Sequence, residues 1–359
     1  MGLYILLLVL CCVLYLSSIS TVSTEQAPIG SQKYFSQYKK GTIFVSLLCF
    51  IIIAFRSKDV GIDSLSYLEH LYESTFDSVK NYADVFDIQH TEIGFSFITF
   101  VINSLGFKQG LFIFEAFSII IPLFLFIKRN SANPYFSLLL FICLDYFGFA
   151  LTGLRQTIAI GAILMALNSL NCDNYKKAIV FVLLAISIHT SSLIAIPLLF
   201  IKRIPLNKTM FVIAIILAAI VNSLKVLLMS FMQEFNLHEG SVGNVETGGS
   251  SYYYFLLTIV FLIFLQKWKD NFKDSGQDYL YWMMLASVIM YPALQFNPTM
   301  FRLHYYYSIS IIVVLPYLFL KMGNFGKVLS LAYLSIAIYY FLNYPLSVMG
   351  IVPYQFFFE

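Results

Sequence analysis

The stretch 135-YFSLLLFICLDYFGFALTGLRQTIAIGAILMALNSL-170 sets an arginine, Arg155, between two apolar runs, 135–150 and 156–170. A helix needs about 20 mostly apolar residues to cross the hydrocarbon core of a bilayer, so runs of this kind read as membrane segments. An arginine at the centre of a membrane helix costs about 2.5–3.5 kcal/mol on insertion scales, and one held there or at the rim demands a reason.

Outward from this stretch the pattern repeats. Of 359 residues, 59% are hydrophobic and 11% charged, and the mean hydropathy is +0.80; an ordinary soluble domain carries about 25% charge. The composition predicts an all-α, polytopic transmembrane helical bundle, a single membrane domain over 1–359 with no soluble domain left over. The apolar segments are 2–17, 42–55, 93–105, 111–127, 135–150, 156–170, 178–189, 191–201, 209–231, 252–266, 279–294, 303–320 and 328–342. The first has no Lys or Arg before its apolar run and no small-x-small cleavage site, so it reads as a retained helix. "LVLC" there lacks the small residue a lipidation box needs before its cysteine. Cys11, Cys12, Cys49, Cys143 and Cys172 show no CxxC or Cys/His spacing, which argues for packing and against metal or disulfide chemistry.

Charge position sets orientation through the cytoplasmic excess of Lys and Arg. Most of the 22 basic residues fall in six connectors, carrying Lys33, Lys39 and Lys40; Lys128 and Arg129; Lys176 and Lys177; Lys202, Arg203 and Lys208; Lys267, Lys269 and Lys273; Lys321 and Lys327. All six share the cytoplasmic side only if 93–105, "IGFSFITFVINSL", does not cross. An apolar piece of that length falls below a span and suits a re-entrant or interfacial segment. Twelve spans follow, with both termini external. The connectors 56–92 and 232–251 then lie outside. The first is acidic, with helical pulses that predict interfacial helices; the second, rich in Gly and Ser, predicts a mobile loop.

Arg56, Arg155 and Arg302 then stand at outer helix ends, joined by His189 in "SIHTSSL" and His304 in "MFRLHYYY". A guanidinium suits diphosphate because its planar fork makes two charge-assisted bonds and stays protonated in poor solvent. Segments 156–170 and 303–320 run inward, so Arg155 and Arg302 sit beside positive dipole ends. Each residue also has a structural reading. Arg56 would complement a helix C-terminus, Arg155 would snorkel, and Arg302 would pair with an external acid. His189 would bond to Ser191 or a carbonyl, and His304 would join an aromatic belt. Asp145 and Glu115, within apolar runs, would pair with these bases or line a cavity.

The ordered fragments "AFRSKDVGIDSLSYLEHLY" (54–72), "TEIGFSFITFVINSLG" (91–106), "LRQTIAIGAILMAL" (154–167) and "AISIHTSSLIAIPL" (185–198) resemble the EpsG-like group of bacterial polysaccharide polymerases, the Wzy-type enzymes. The resemblance covers roughly 50–200. It places Arg56, Gly61, Asp63, Tyr67, Glu92, Gly94, Arg155, Gln156 and His189 at the group's motif positions; Arg302 joins them by charge topology alone. It implies a plan similar to O-antigen ligases and to membrane glycosyltransferases with lipid-linked donors.

The implied activity is polymerisation of O-antigen or exopolysaccharide units carried on undecaprenyl diphosphate, at the outer face of the cytoplasmic membrane. Arg155, Arg302, Arg56, Gln156 and His304 are then candidates for the diphosphate. His189, Asp63 and Glu92 are candidates for the base, and Tyr67 and Tyr305 for sugar stacking. The expected partners are the lipid-linked oligosaccharide, the bilayer and a chain-length regulator. No metal, other cofactor, nucleotide sugar or nucleic acid is expected. The rival readings are an O-antigen ligase with a lipid A core acceptor, a lipid-linked oligosaccharide flippase, and a membrane O-acyltransferase resting on His189.

Overall fold

Each of these apolar segments is helical in the computed structural model, which describes residues 1–19, 32–66, 92–107, 109–234, 249–273, 276, 278–294, 298–344, 346 and 349–358. Tyr67, residues 67–91 of the connector 56–92 and residues 235–248 of the loop expected at 232–251 lie outside these residues; the ends of that expected loop, 232–234 and 249–251, are helical and continue the flanking helices. Among the described residues the only β pairing is an isolated antiparallel bridge between Arg56 and Phe356.

The helices are α1 (Gly2–Ile19), α2 (Gln32–Ala54), α3 (Ile62–Ser66), α4 (Ile93–Ser104), α5 (Gly110–Asn130), α6 (Pro134–Cys143), α7 (Tyr146–Ala150) and α8 (Leu154–Leu170). They continue with α9 (Tyr175–Ile188), a 3-10 helix (Thr190–Leu199), α10 (Lys208–Glu234), α11 (Gly249–Lys269) and α12 (Asp278–Leu294). The last are α13 (Pro298–Phe301), α14 (Tyr305–Ser308), α15 (Ile311–Lys321) and α16 (Gly323–Asn343). Among the described residues six stretches are long and apolar enough to cross a membrane: Gly2–Ile19, Phe35–Ala54, Gly110–Asn130, Ser251–Lys269, Arg302–Lys321 and Gly323–Asn343. Shorter apolar helices, α4, α6 and α8 among them, complete the bundle, and the expected twelve spans depend on these shorter pieces as well.

The protein is therefore a multi-pass membrane protein. Its outer helices turn apolar side chains outward, such as Leu6, Val9 and Val13 on α1 and Val212, Ile216 and Ile220 on α10. Lipid tolerates such surface because each helix satisfies its own backbone polar groups. By contrast α8 and the 302–321 stretch are buried nearly all round.

Helices α5 and α8 run parallel. Pro122 has no N–H to give the Ser118 carbonyl four residues earlier, and Gly161 packs directly against that carbonyl: a Cβ at Gly161 would lie 1.8 Å from it. Further along, Asn168 Nδ2 donates to the Pro122 carbonyl at 3.3 Å and Arg129 donates to the Asn168 carbonyl at 2.6 Å. Basic connectors gather at that end. Lys202 donates to the Leu170 carbonyl at 2.8 Å, Arg203 lies over Tyr175, and Lys208 lies over Trp268 beside the buried Lys267–Asp278 pair.

The segment 92–109 leaves and returns at the opposite end. Glu92 meets Arg155 at the start of α8, and Gln109, just before α5, donates to the carbonyls of Ala54 and Arg56. Between them α4 rises only about 18 Å.

Three segments depart from uninterrupted α-helix. The segment 135–150 breaks at Asp145, which takes φ 75°, a left-handed conformation that Asp adopts more readily than most residues. The segment 191–201 is a 3-10 helix; Pro197 within it has no N–H. The segment 303–320 begins with a 3-10 turn at Arg302–His304 and is interrupted again at Ile309 and Ser310.

Gly161→Ala is expected to cost about 1–3 kcal/mol by overpacking, read as a lowered Tm in detergent. Gly2→Ala, whose added methyl meets nothing within 4 Å, leaves Tm unchanged.

Candidate active site

Glu92 immediately precedes α4, where the positive end of the helix favours a carboxylate. Its Oε2 accepts from Arg155 at 2.7 Å. Its Oε1 lies 3.0 Å from His189 Nδ1 and accepts from the Thr190 N–H at 3.0 Å and the Thr190 hydroxyl at 3.2 Å. Burial alone would raise the Glu92 pKa, but the bonds from His189 and the Thr190 N–H, with the Arg155 charge, outweigh it and hold the carboxyl well below the usual range. An ionised carboxylate only accepts, so Nδ1 of His189 carries the proton and Nε2 is the basic nitrogen.

This convergence needs α4 against the end of α9. Gly94 permits it, since a Cβ there would stand 2.4 Å from Ser187 Oγ and 2.7 Å from the Ser187 carbonyl oxygen. His189 ends α9 in extended backbone, turning the chain into the 3-10 helix.

Arg302 is drawn to the same helix end. Gln156 Nε2 donates to the Arg302 carbonyl at 2.7 Å, so the Arg-Gln pair sends Arg155 to Glu92 and holds the Arg302 backbone beside α8. The Arg302 guanidinium donates to Asp63 Oδ2 at 2.7 Å and lies over Phe149. Asp63 is seated by Gly61, which has φ 96° and would place a Cβ 1.9 Å from the Leu151 carbonyl oxygen. Gly61 N–H also donates to the Gly350 carbonyl at 2.9 Å. Both arginine side chains keep solvent access, 25% for Arg155 and 32% for Arg302.

Other expected site residues lie elsewhere. Arg56 is fully buried, 2.7 Å from the equally buried Glu115, bonded to the Ile53 carbonyl and stacked on Phe112. In this position it braces the end of α2 and offers no surface to a diphosphate. His304 is enclosed by Tyr252, Tyr291, Phe301 and Tyr305, with Nδ1 on the Phe301 carbonyl. It is thus neither belt nor outer-face ligand. Tyr305 is buried with its hydroxyl on Asp145, and so presents no sugar platform. The neighbouring tyrosines also point inward. Tyr306 shares bonds with the hydroxyls of Ser191 and Ser192, and Tyr307 donates to the Ile194 carbonyl. Thr190 and Tyr306 carry no sequence signal of their own beyond adjacency to His189 and to the tyrosine run.

Beside the cluster lies an apolar groove of about 800 Å³ between α4, α5, α8 and α9. Ile93 next to Glu92, Ile158 one turn from Arg155 and Ile188 next to His189 line it, so the ion pairs stand at its head. Ile93, Phe97 and Val101 on its wall are exposed toward the lipid side. Among the described residues no set of three His, Cys, Asp or Glu side chains gathers to hold a metal ion. Fixed guanidinium donors and a carboxylate-oriented imidazole can bind a phosphate group and move a proton beside it.

The fold and site define a polytopic helical membrane protein with an ion-pair cluster at one end of its bundle. Residues 41–356 match the EpsG family, and the chain belongs to it. It is thus a polysaccharide-polymerase-like membrane protein, associated with glycosyltransferase-type work in polysaccharide biosynthesis. Comparisons with curated proteins and with solved structures found no match.

Because the folded-state pKa of Glu92 is depressed, its stabilising contribution is fully present above the ordinary value of about 4.5 and is lost as pH falls through that value toward the folded one. Tm measured against pH is expected to fall on that acid limb, and Glu92→Gln to lower Tm at neutral pH and flatten the limb. Glu115→Ala, which strands the buried Arg56 charge, is expected to cost about 3–5 kcal/mol, read by chemical denaturation.

Proposed function

We propose that the protein is a polymerase joining undecaprenyl-diphosphate-linked oligosaccharide repeat units at the outer face of the cytoplasmic membrane. One observation carries this reading: Arg155 and the Glu92–His189 pair stand at the head of a lipid-facing apolar groove, and Gln156 holds the Arg302 backbone beside the same helix end. That arrangement suits a molecule with a diphosphate head and an isoprenoid tail.

In the proposed reaction a sugar hydroxyl of the incoming unit attacks the anomeric carbon of the growing glycan. The new C–O bond forms as the bond to the donor diphosphate breaks, with inversion. The hydroxyl proton passes to His189 Nε2. Glu92, already engaged by Arg155, His189 and Thr190, is too weak a base for that role. It fixes the imidazole tautomer and stabilises the imidazolium. Negative charge grows on the departing diphosphate oxygen, so guanidinium donors aimed there favour the transition state over the ground state. Arg155 and Arg302 supply them, Asp63 positions Arg302, and Gln156 couples the two. A chain-length regulator is the proposed protein partner.

The test is deletion of the gene in its host, complementation with variants, and electrophoresis of the lipopolysaccharide or capsule. Arg155→Ala is expected to collapse a long ladder to single units, with transfer reduced about 10²–10³-fold, the usual effect of losing one such donor. Arg155→Lys, which keeps charge without the fork, is expected to fall between. His189→Ala is expected to lose about 10²–10⁴-fold. A ligase would instead leave the core bare of repeats, and a flippase would leave units trapped inside. An unchanged ladder in Arg155→Ala removes Arg155 from the mechanism.

A further inference from the structure

Three of the four helices that carry the apolar groove also shape a second hollow at the far end of the bundle, and nothing in the proposed transfer uses its basic rim. This hollow, about 770 Å³, lies between the end of α5, the end of α8 and the start of α9. Lys128, Arg129, Lys176 and Lys177 rim it, while Leu125, Met165, Val180 and Phe181 form its floor. All four cations are exposed, and among the described residues no carboxylate lines the hollow. Asp173, three residues before Lys176, is paired with Lys202 instead.

The helix dipoles separate these cations. Lys128 and Arg129 end α5, where positive charge complements the negative helix terminus, and Arg129 is further held by the Asn168 carbonyl. Lys176 and Lys177 open α9, where positive charge faces the positive terminus and is disfavoured. An anion held between the two pairs relieves that repulsion. Met165 and Phe181 belong both to this floor and to the apolar groove above, so one lipid-facing channel runs along α8 and α9 beneath the basic rim. A free anion has no use for that channel, whereas an acyl chain fills it.

We propose that this hollow is a specific site for an anionic phospholipid, with the phosphate among Lys128, Arg129, Lys176 and Lys177 and the chains along Met165 and Phe181. Basic pockets between membrane helices recognise acidic headgroups in this way. The headgroup contacts take no part in the transfer chemistry proposed above, while the chains meet the apolar groove at Met165 and Phe181.

The test uses the full chain in detergent and in phosphatidylcholine nanodiscs with added phosphatidylglycerol. Native mass spectrometry is expected to find phosphatidylglycerol retained by the wild type. The variant Lys128→Gln/Lys176→Gln/Lys177→Gln is expected to bind it roughly tenfold more weakly or worse. A control with the same charge loss in other basic connectors, Lys269→Gln/Lys273→Gln/Lys321→Gln, is expected to bind as the wild type does. Equal weakening in both variants overturns the proposal in favour of general attraction to a basic face. Thermal stabilisation by inorganic phosphate as strong as that by phosphatidylglycerol also overturns it. A photoreactive phosphatidylglycerol on the unmodified protein is expected to label 125–129 and 174–181, and labelling confined to other segments overturns the assignment without any variant.

Discussion

The Glu92 carboxylate is the point on which the site depends. It stands before α4 and gathers Arg155 from the start of α8, His189 from the end of α9 and Thr190 from the start of the 3-10 helix. The surfaces these elements turn to one another are largely apolar, so the carboxylate supplies a directional tie among them through charge-assisted bonds. The Glu-x-Gly motif therefore works as a unit, with Glu92 supplying the acceptor and Gly94 the close approach to Ser187 that brings it within reach.

A second carboxylate–arginine pair does a different job. Arg56 and Glu115 are both fully buried, and Arg56 also takes the Ile53 carbonyl at the end of α2. The segment that follows is clamped by the C-terminal tail: Ser57 N–H donates to the Gln355 carbonyl, Phe357 N–H to the Phe55 carbonyl, and Gly61 N–H to the Gly350 carbonyl. Tyr4 and Tyr354 tie the same tail to α1 and α2, with Tyr4 on the Ile351 carbonyl and Tyr354 on the Ile52 carbonyl. The arginine that opens the first motif thus fixes the platform from which Asp63 reaches Arg302.

Much of this was legible in the sequence, and the physics explains which part. Helices follow from apolar run length. Arg155, Glu92 and His189 were legible as an ordered set because each sits at a helix end, where depth in the membrane is nearly the same as position along the chain. Arg56, His304 and Tyr305 were misplaced for the complementary reason. Hydropathy gives depth but not rotation about the helix axis, and the 302–321 stretch is buried nearly all round, so a polar residue there faces other helices whichever way it turns. Their partners are also distant in sequence: Glu115 for Arg56, Asp145 for Tyr305. The Asp145 break and the tail clamp likewise depend on long-range contacts that no local pattern announces.

Exposure separates the fixed pair from the exchangeable ones. Arg56 and Glu115 have no access to solvent, so parting them would strand two charges in a medium that cannot solvate them. Arg155–Glu92 and Arg302–Asp63 are partly open, so a ligand can reach their guanidiniums from the solvent side. The two carboxylates flank one connector, Asp63 near its start and Glu92 at its end, so each arginine is held in position by a carboxylate from the same segment. A diphosphate, with more charge and more acceptor oxygens than a carboxylate, can share or take over such a guanidinium where it could never reach Arg56. In the proposed transfer the bonds that orient Arg155 and Arg302 before substrate arrives therefore leave both guanidiniums within its reach.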